Sequence, residues 1–315
     1  FPKVHFDNDP ENMLAKDEPV RVLHDRVKEK YDLYDFVIAG VVNEDDEDGI
    51  FNPGTLGRLH TLTEQLLNLQ PGADGTVKVS AAGADQQIDL RPKSLRQRAL
   101  NVVFRHDPNR LLTKDGGSAI ISREVIAPSV VDNLKQAELG SLKQEYLMVA
   151  PPKTRAEART IRDDAMGNPL YKGTLVSEDG KAICLYIPIR DKTFSYNVAA
   201  LIRELTKDWP EEDKVYITGL PVAEDTFGVE MLVQMATSAP MAGVAIFFLL
   251  LFFFRRLSLI IAPMVLAVIT IVCTMGLLIG SGHDVHIMTS MIAIFLMPIA
   301  VADSVHILSE FFDVY

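Results

Sequence analysis

The 315-residue chain carries 42 acidic against 31 basic side chains, for a formal net charge of −11. Because nucleic acids bind to basic surfaces, this acidic balance argues against a nucleic-acid partner. Its two cysteines, Cys184 and Cys273, lack a C-x-x-C spacing, so they predict neither a zinc site nor a disulfide framework.

The first predicted elements are a helix over residues 17–31 and a strand over residues 35–43. Asp17 is a candidate N-cap for the helix. The apolar residues that share one face of this helix are Val20, Leu23, Val27 and Tyr31. The strand is predicted from its content of β-branched residues.

A second helix and strand follow and complete a β-α-β unit. Asn52 is a candidate N-cap with Pro53 in the first helical turn, and Pro71 ends the helix. The leucines that form its apolar stripe are Leu56, Leu59, Leu62, Leu66 and Leu67. A short strand is predicted at residues 76–80.

The acidic run at residues 43–48 precedes Gly49 and invites a test against the calcium-binding EF-hand loop. In that frame Glu44 replaces the first aspartate, and Thr55 stands where the bidentate glutamate belongs, so the match fails. We expect a solvated loop instead. The phosphate, dinucleotide, metalloprotease and nucleophile-elbow motifs are also missing, so we expect no enzyme activity, cofactor or metal.

A second unit is predicted about a hundred residues later. Residues 171–177 and 181–189 suggest a hairpin, followed by a helix at 193–207 and a strand at 214–218. Two such units predict an α+β fold with ferredoxin-like (β-α-β) subdomains. The intervening residues 91–168 are predicted to be mainly helical.

From residue 231 onward the chain is nearly free of charge. Three apolar segments, at about 231–254, 257–282 and 287–309, each exceed the roughly 20 residues that cross a bilayer. We therefore divide the chain into an α/β domain, residues 1–230, and an all-α transmembrane bundle, residues 231–315.

The charges at the ends of these segments predict their orientation. Arg255 and Arg256 lie between the first two segments, and the positive-inside rule places them in the cytoplasm. Residues 1–230 then lie on the extracytoplasmic side. An extracytoplasmic domain needs an export signal upstream, so we expect the chain to be a fragment of a longer membrane protein.

The third apolar segment contains the candidate functional residues. Asp303 lies within it, and ionisable groups at that depth usually mark an ion or proton pathway. Asp303, His306 and Glu310 recur at helical spacing and share a face, with Ser304 beside them. Two alternatives remain open: Asp303 pairs with another helix and fixes packing, and His306 and Glu310 are interfacial residues near the helix end.

Four stretches resemble the first external loop of resistance–nodulation–division (RND) transporters. The branch that they most resemble holds the mycobacterial-membrane-protein-large-like proteins and the hopanoid lipid exporters. The four stretches are DNDPENMLAKDEPV (7–20), VVNEDDEDGIFNPGTLGRLHTLTEQL (41–66), GTLVSEDGKAICLYIPI (173–189) and VYITGLPVAEDTFGVEM (215–231). The apolar segments then correspond to the second, third and fourth of twelve helices, and they also resemble a sterol-sensing domain.

This resemblance implies a function and a site. The fourth helix of the family carries the proton-relay acid, and Asp303 occupies the matching position. Multidrug members carry two adjacent acids there, whereas Ala302 precedes Asp303, which favours the lipid-related branch. The implied activity is export of a lipid or hydrophobic compound from the inner (plasma) membrane, driven by protons. The implied partners are the bilayer, protons and a second half of the same transporter, and a homo-oligomer is compatible with the chain.

Two other functions remain open at this stage. The same fold serves as a sterol- or lipid-sensing receptor or scaffold, which does not transport. A protein-translocation accessory of the same superfamily also pairs an external domain with relay acids. A second repeat with its own intramembrane acids would favour the pump over the sensor.

Overall fold

The computed structural model describes residues 6–7, 9–71, 76–91, 111, 117–136, 142–283 and 285–314. The chain divides into two compact units, of which one comprises Val27–Ala223 and the other comprises Phe1–Arg26 with Glu224–Tyr315. The α-helices are α1 (Pro19–Lys30), α2 (Pro53–Leu67), α3 (Arg155–Gly167), α4 (Ser195–Leu205), α5 (Leu220–Phe254), α6 (Leu257–Gly280) and α7 (Ile287–Val314). The strands are β1 (Phe6–Asp7), β2 (Asp35–Val42), β3 (Gln70–Pro71), β4 (Thr76–Ala81), β5 (Ala84–Asp89), β6 (Asp132–Gln136), β7 (Leu142–Tyr146), β8 (Ala182–Ile189), β9 (Lys214–Thr218) and β10 (Val285–His286).

The main sheet of the 27–223 unit has the strand order β8-β2-β9, and both pairings are antiparallel. Alternate residues of β2 are fully buried, as expected for a strand with one face on a core. Helices α2 and α4 contribute to the same hydrophobic cluster as this face. The strands predicted at 35–43 and 214–218 are therefore confirmed.

Helix α2 begins as its sequence predicts. The Oδ1 atom of Asn52 accepts a hydrogen bond from the Thr55 amide at 2.8 Å, and Pro53 occupies the first turn. The leucines of the stripe that are buried in the core are Leu56, Leu59, Leu62 and Leu66. By contrast, α1 begins at Pro19, so the residue before it is Glu18 rather than the predicted cap Asp17.

Three predictions for this unit need correction. Strand β4 does not join the main sheet but pairs with β3 and β5 in a separate one. Residues 171–177 form turns instead of the predicted first strand, so the predicted hairpin is shortened to the antiparallel bridge from Val176 to Ile183 beside the start of β8. Within residues 91–168, the described part contains the β6–β7 hairpin and, near its end, α3, so the mainly helical prediction is also wrong there.

The three apolar helices α5, α6 and α7 pack around one cluster of buried side chains. The buried members of this cluster are Leu250, Ile260, Ala267, Met297, Ala300 and Val301. By length and hydropathy, the described helices that could cross a membrane are Leu220–Phe254, Leu259–Gly280 and Ile294–Phe311. Helix α5 begins at Leu220, before the apolar segment that the sequence predicted. Hydropathy marks only the apolar part of a helix, so it did not detect the first turns, which contain polar residues such as Glu224.

A short strand pairing lies at one end of these helices. Strand β1 pairs in parallel with β10, and β10 lies between the end of α6 and the start of α7. The guanidinium of Arg21 in α1 donates to the carbonyl oxygens of Glu11 and Leu14 and to Oδ1 of Asn12. These contacts connect the first turns of α1 to the segment that follows β1.

Candidate functional site

The side chains of α7 separate into two faces within the membrane-length segment Ile294–Phe311. Met297, Ala300 and Val301 are buried against the other apolar helices. Asp303 and His306 are exposed on the other side. The spacing of three and four residues explains the separation, because 3.6 residues complete one turn. Helix α7 therefore presents Asp303, His306 and Glu310 as a polar stripe on a side that α5 and α6 leave uncovered and that also exposes Ile299 and Ile307.

Asp303 lies near the middle of this segment, and Glu310 lies near its end. Both are exposed, and His306 lies between them, one turn from each. Among the described residues, no cation lies within ion-pair distance of the Asp303 carboxylate. A carboxylate at this depth is costly unless protein or water covers it. Asp303 would therefore need protein or water around it if this segment crosses a membrane.

Ser304 does not lie on this stripe. It is buried, and its hydroxyl donates to the carbonyl oxygen of Ala300 at 2.8 Å. This bond occupies the hydroxyl proton within the helix. The structure thus places Asp303, His306 and Glu310 on one side of α7 and Ser304 on the other.

Two further features of these helices are a proline in α7 and a pair of glycines in α6. Pro298 lies inside α7, one turn before Ala302, and it has no amide proton to donate to the preceding turn. Gly276 and Gly280 form a GxxxG pattern on α6, and in the described part of the chain no atom beyond the local helix backbone lies within 4 Å of a Cβ placed at either. This face of α6 is therefore open to the approach of another helix.

Outside the apolar helices, the acidic run forms a structured ion-pair cluster. Asp48 is 6% exposed and accepts hydrogen bonds from Arg159 at 3.0 and 3.1 Å and from Arg155 at 3.2 Å. Arg155 also donates a hydrogen bond from Nη2 to Oδ2 of Asp46 at 2.9 Å. The prediction of a solvated loop is therefore wrong for Asp48, although Glu44 is exposed.

This cluster affects the protonation of Asp48. The hydrogen bond from Arg159, with the positive charges of Arg159 and Arg155, lowers the pKa of Asp48, and burial opposes the shift. The pKa of Arg159 is correspondingly raised, chiefly by the hydrogen bonds that its guanidinium donates to Asp48. The sequence does contain a signal for the cluster, because Arg155, Arg159 and Arg162 recur at helical spacing on α3.

A second polar cluster surrounds Asp213, whose side chain is fully buried. Its carboxylate accepts hydrogen bonds from Asn43 Nδ2 at 2.8 Å, Thr55 Oγ1 at 2.7 Å and Arg58 Nε at 2.7 Å. These donors come from the end of β2 and the start of α2. The cluster therefore fastens the segment before β9 to that corner of the fold, and its sequence separation of more than 150 residues concealed it.

The structure also brings together a serine, a histidine and an acid that no sequence motif indicated. His60 Nδ1 lies 2.9 Å from Ser129 Oγ, and His60 Nε2 lies 3.5 Å from Glu64 Oε1. His60 and Glu64 are one turn apart on α2. The contact to Ser129 ties α2 to the segment that precedes β6.

Comparison with known proteins identifies a family. The model of the MMPL family matches residues 124–305, which is more than half of the chain. The match runs from the middle of the 27–223 unit through α5 and α6 and into α7, so it includes Asp303. A search among curated proteins gave no significant match.

Proposed function

The chain belongs to the MMPL family, and we propose that it forms part of a proton-driven transporter that exports a lipid or another hydrophobic compound. Members of this family are transporters of the RND kind. The three membrane-length helices fit a membrane protein that handles hydrophobic substrates. Proton coupling rests on one observation: α7 carries an acid near the middle of its membrane-length segment, on the face that α5 and α6 leave uncovered.

In this proposal Asp303 is the proton relay. A carboxyl group can bind a proton and release it again, and its surroundings decide which form is favoured. Loss of the proton creates a charge within the membrane, which favours a helix arrangement that covers the charge with protein or water. Uptake of the proton removes that requirement. Alternation between the two states couples proton movement to a change in how α7 packs against other helices.

The other polar residues of α7 receive supporting roles. His306 and Glu310 continue the stripe from Asp303 toward the end of the helix, so they can pass protons between Asp303 and water. We assign Ser304 a packing role, because its hydroxyl is already bonded on the opposite face. The partner of Asp303 would be a polar group on another helix, facing the stripe.

The proposed orientation places the turn at Arg255 and Arg256 in the cytoplasm, because positive residues stay on that side. Residues 1–230 would then lie outside the inner membrane. The order β8-β2-β9, with β2 central and helices α2 and α4 in the connections, suits three strands of a ferredoxin-like subdomain. We propose that this subdomain belongs to the porter region through which the substrate passes.

Proton flux through the intact protein tests this function. The protein would be reconstituted in liposomes that contain a trapped pH-sensitive dye, and a pH gradient would be imposed. We expect a fluorescently labelled phospholipid or another hydrophobic test compound to accelerate collapse of the gradient. Binding of such compounds without any proton flux would instead favour a lipid-sensing receptor or scaffold of the same fold.

A further inference from the structure

Helix α1 exposes an apolar stripe. Val20, Leu23 and Val27 recur at helical spacing and are 68%, 59% and 38% exposed, and Tyr31 extends the stripe just beyond the helix. No residue of α1 is buried. The apolar stripe of an amphipathic helix normally packs against the protein core. An exposed stripe of this kind therefore indicates a binding surface.

The position of α1 in the chain limits what covers it. Strand β1 pairs with β10, and β10 lies between the end of α6 at Gly280 and the start of α7 at Ile287. Arg21 then holds the start of α1 to the segment after β1, through Glu11 and Leu14. The first turns of α1 therefore lie close to one end of the membrane-length helices, where the headgroups of a bilayer begin.

The charges of α1 are arranged as on helices that lie on membranes. At 3.6 residues per turn, Asp25 and Glu29 fall on the side opposite Val20, farthest from the apolar stripe. Lys30 falls beside the stripe, and its ammonium lies 5.2 Å from the centre of the Tyr31 ring. A lysine beside an apolar face and an aromatic residue at its edge are typical of residues that lie at lipid headgroups.

We propose that α1 lies on the bilayer surface, with Val20, Leu23 and Val27 inserted among the lipids and Asp25 and Glu29 facing water. The lipid headgroups that cover the stripe are those on the side of the membrane where α6 leads into α7. Helices of this kind insert their apolar face about 5–10 Å into the boundary between headgroups and acyl chains. The helix would anchor the polypeptide beside the membrane, independently of proton coupling.

Spin labels on the two sides of α1 test this placement. In the full protein, with Cys184 and Cys273 replaced by serine, single cysteines would be introduced as Leu23→Cys and, as the matched control, Glu29→Cys. Both side chains are exposed, so the label meets no packed core. The labelled proteins would be reconstituted in phosphatidylcholine–phosphatidylglycerol vesicles. Collisions with oxygen, which concentrates in lipid, and with a water-soluble nickel complex would then be measured.

We expect the label at position 23 to have a several-fold higher ratio of oxygen to nickel collisions than the label at position 29. Equal access of nickel to both positions would show that α1 lies in water and would overturn the proposal. A label at 23 that neither reagent reaches would mean that protein covers the stripe, which also overturns it. If Leu23→Cys does not assemble, Val20→Cys against Asp25→Cys provides the same comparison.

Discussion

At the scale of single residues, Asp48 shows how a surface loop acquires a fixed conformation. Its carboxylate is buried and meets arginines that lie more than 100 positions later in the chain. Sequence patterns describe neighbours along the chain, so they predicted a solvated loop there. By contrast, the Asn52 cap was predictable, because Asn52 and the Thr55 amide that donates to it are three residues apart.

The first prediction concerns pH. Because the folded pKa of Asp48 is lowered from 3.8, its stabilising effect is fully present above that value and is lost as the pH falls through the folded pKa. Asp48→Asn should therefore increase hydrogen exchange in peptides that cover residues 43–52 and α3 at neutral pH. The increase should disappear under acidic conditions. Asp45→Asn, at an exposed position, is the control, and equal exchange in both variants would contradict the role of Asp48.

A second prediction at this scale concerns Asp213. Asp213→Ala leaves Asn43, Thr55 and Arg58 without their shared acceptor, and breaking a buried pair of this kind costs roughly 3 kcal/mol. Exchange of the β9 and α2 amides should accelerate accordingly. Asp208→Ala, on the exposed side of the same segment, should leave exchange unchanged. Similar protection in both variants would mean that the cluster contributes little.

At the scale of elements, the junction between β9 and α5 depends on backbone shape. Gly219 has φ +123°, and a Cβ at this position would lie 2.2 Å from the carbonyl oxygen of Phe36.

Elements with a strong local pattern, such as β2 and α2, were predictable from sequence. The turns at 171–177 were not, because residues with strand propensity there find no continuous strand partner in the fold.

Two glycine substitutions test this local argument. Gly219→Ala should destabilise the protein, because the new methyl group must displace backbone atoms of β2. Gly57→Ala, in the middle of α2 with open space around it, should stabilise the helix by about 0.5–1 kcal/mol. Thermal inactivation of the purified protein would measure both. Equal stability of Gly219→Ala and the parent protein would contradict the structure at this junction.

At the scale of the whole molecule, the apolar helices were the most predictable part, because about 20 consecutive apolar residues rarely occur outside membrane-spanning helices. The polar stripe of α7 was also visible as spacing in the sequence. What sequence could not provide is which side of α7 packs, because that depends on contacts with α5 and α6. Ala300 and Ser304 are buried, so they lie on the packed side of α7.

The proposed orientation leads to a labelling prediction at this scale. Glu47→Cys, on the exposed part of the acidic loop, should react with an impermeant thiol reagent in intact cells. Arg256→Cys should react only after the cells are permeabilised, because one positive charge still holds the turn inside. The background would have Cys184 and Cys273 replaced by serine. Labelling of position 256 alone in intact cells would reverse the orientation.

The central claim is that Asp303 relays protons, and proton flux in proteoliposomes that contain Asp303→Asn tests it most directly. The amide keeps the shape of the side chain but cannot cycle a proton, so we expect flux stimulated by the hydrophobic test compound to be lost. Asp303→Glu, which remains titratable, should retain part of the flux, and His306→Gln should reduce it less than Asp303→Asn does. Flux at the wild-type rate in correctly inserted Asp303→Asn would contradict the claim and leave Asp303 with a structural role.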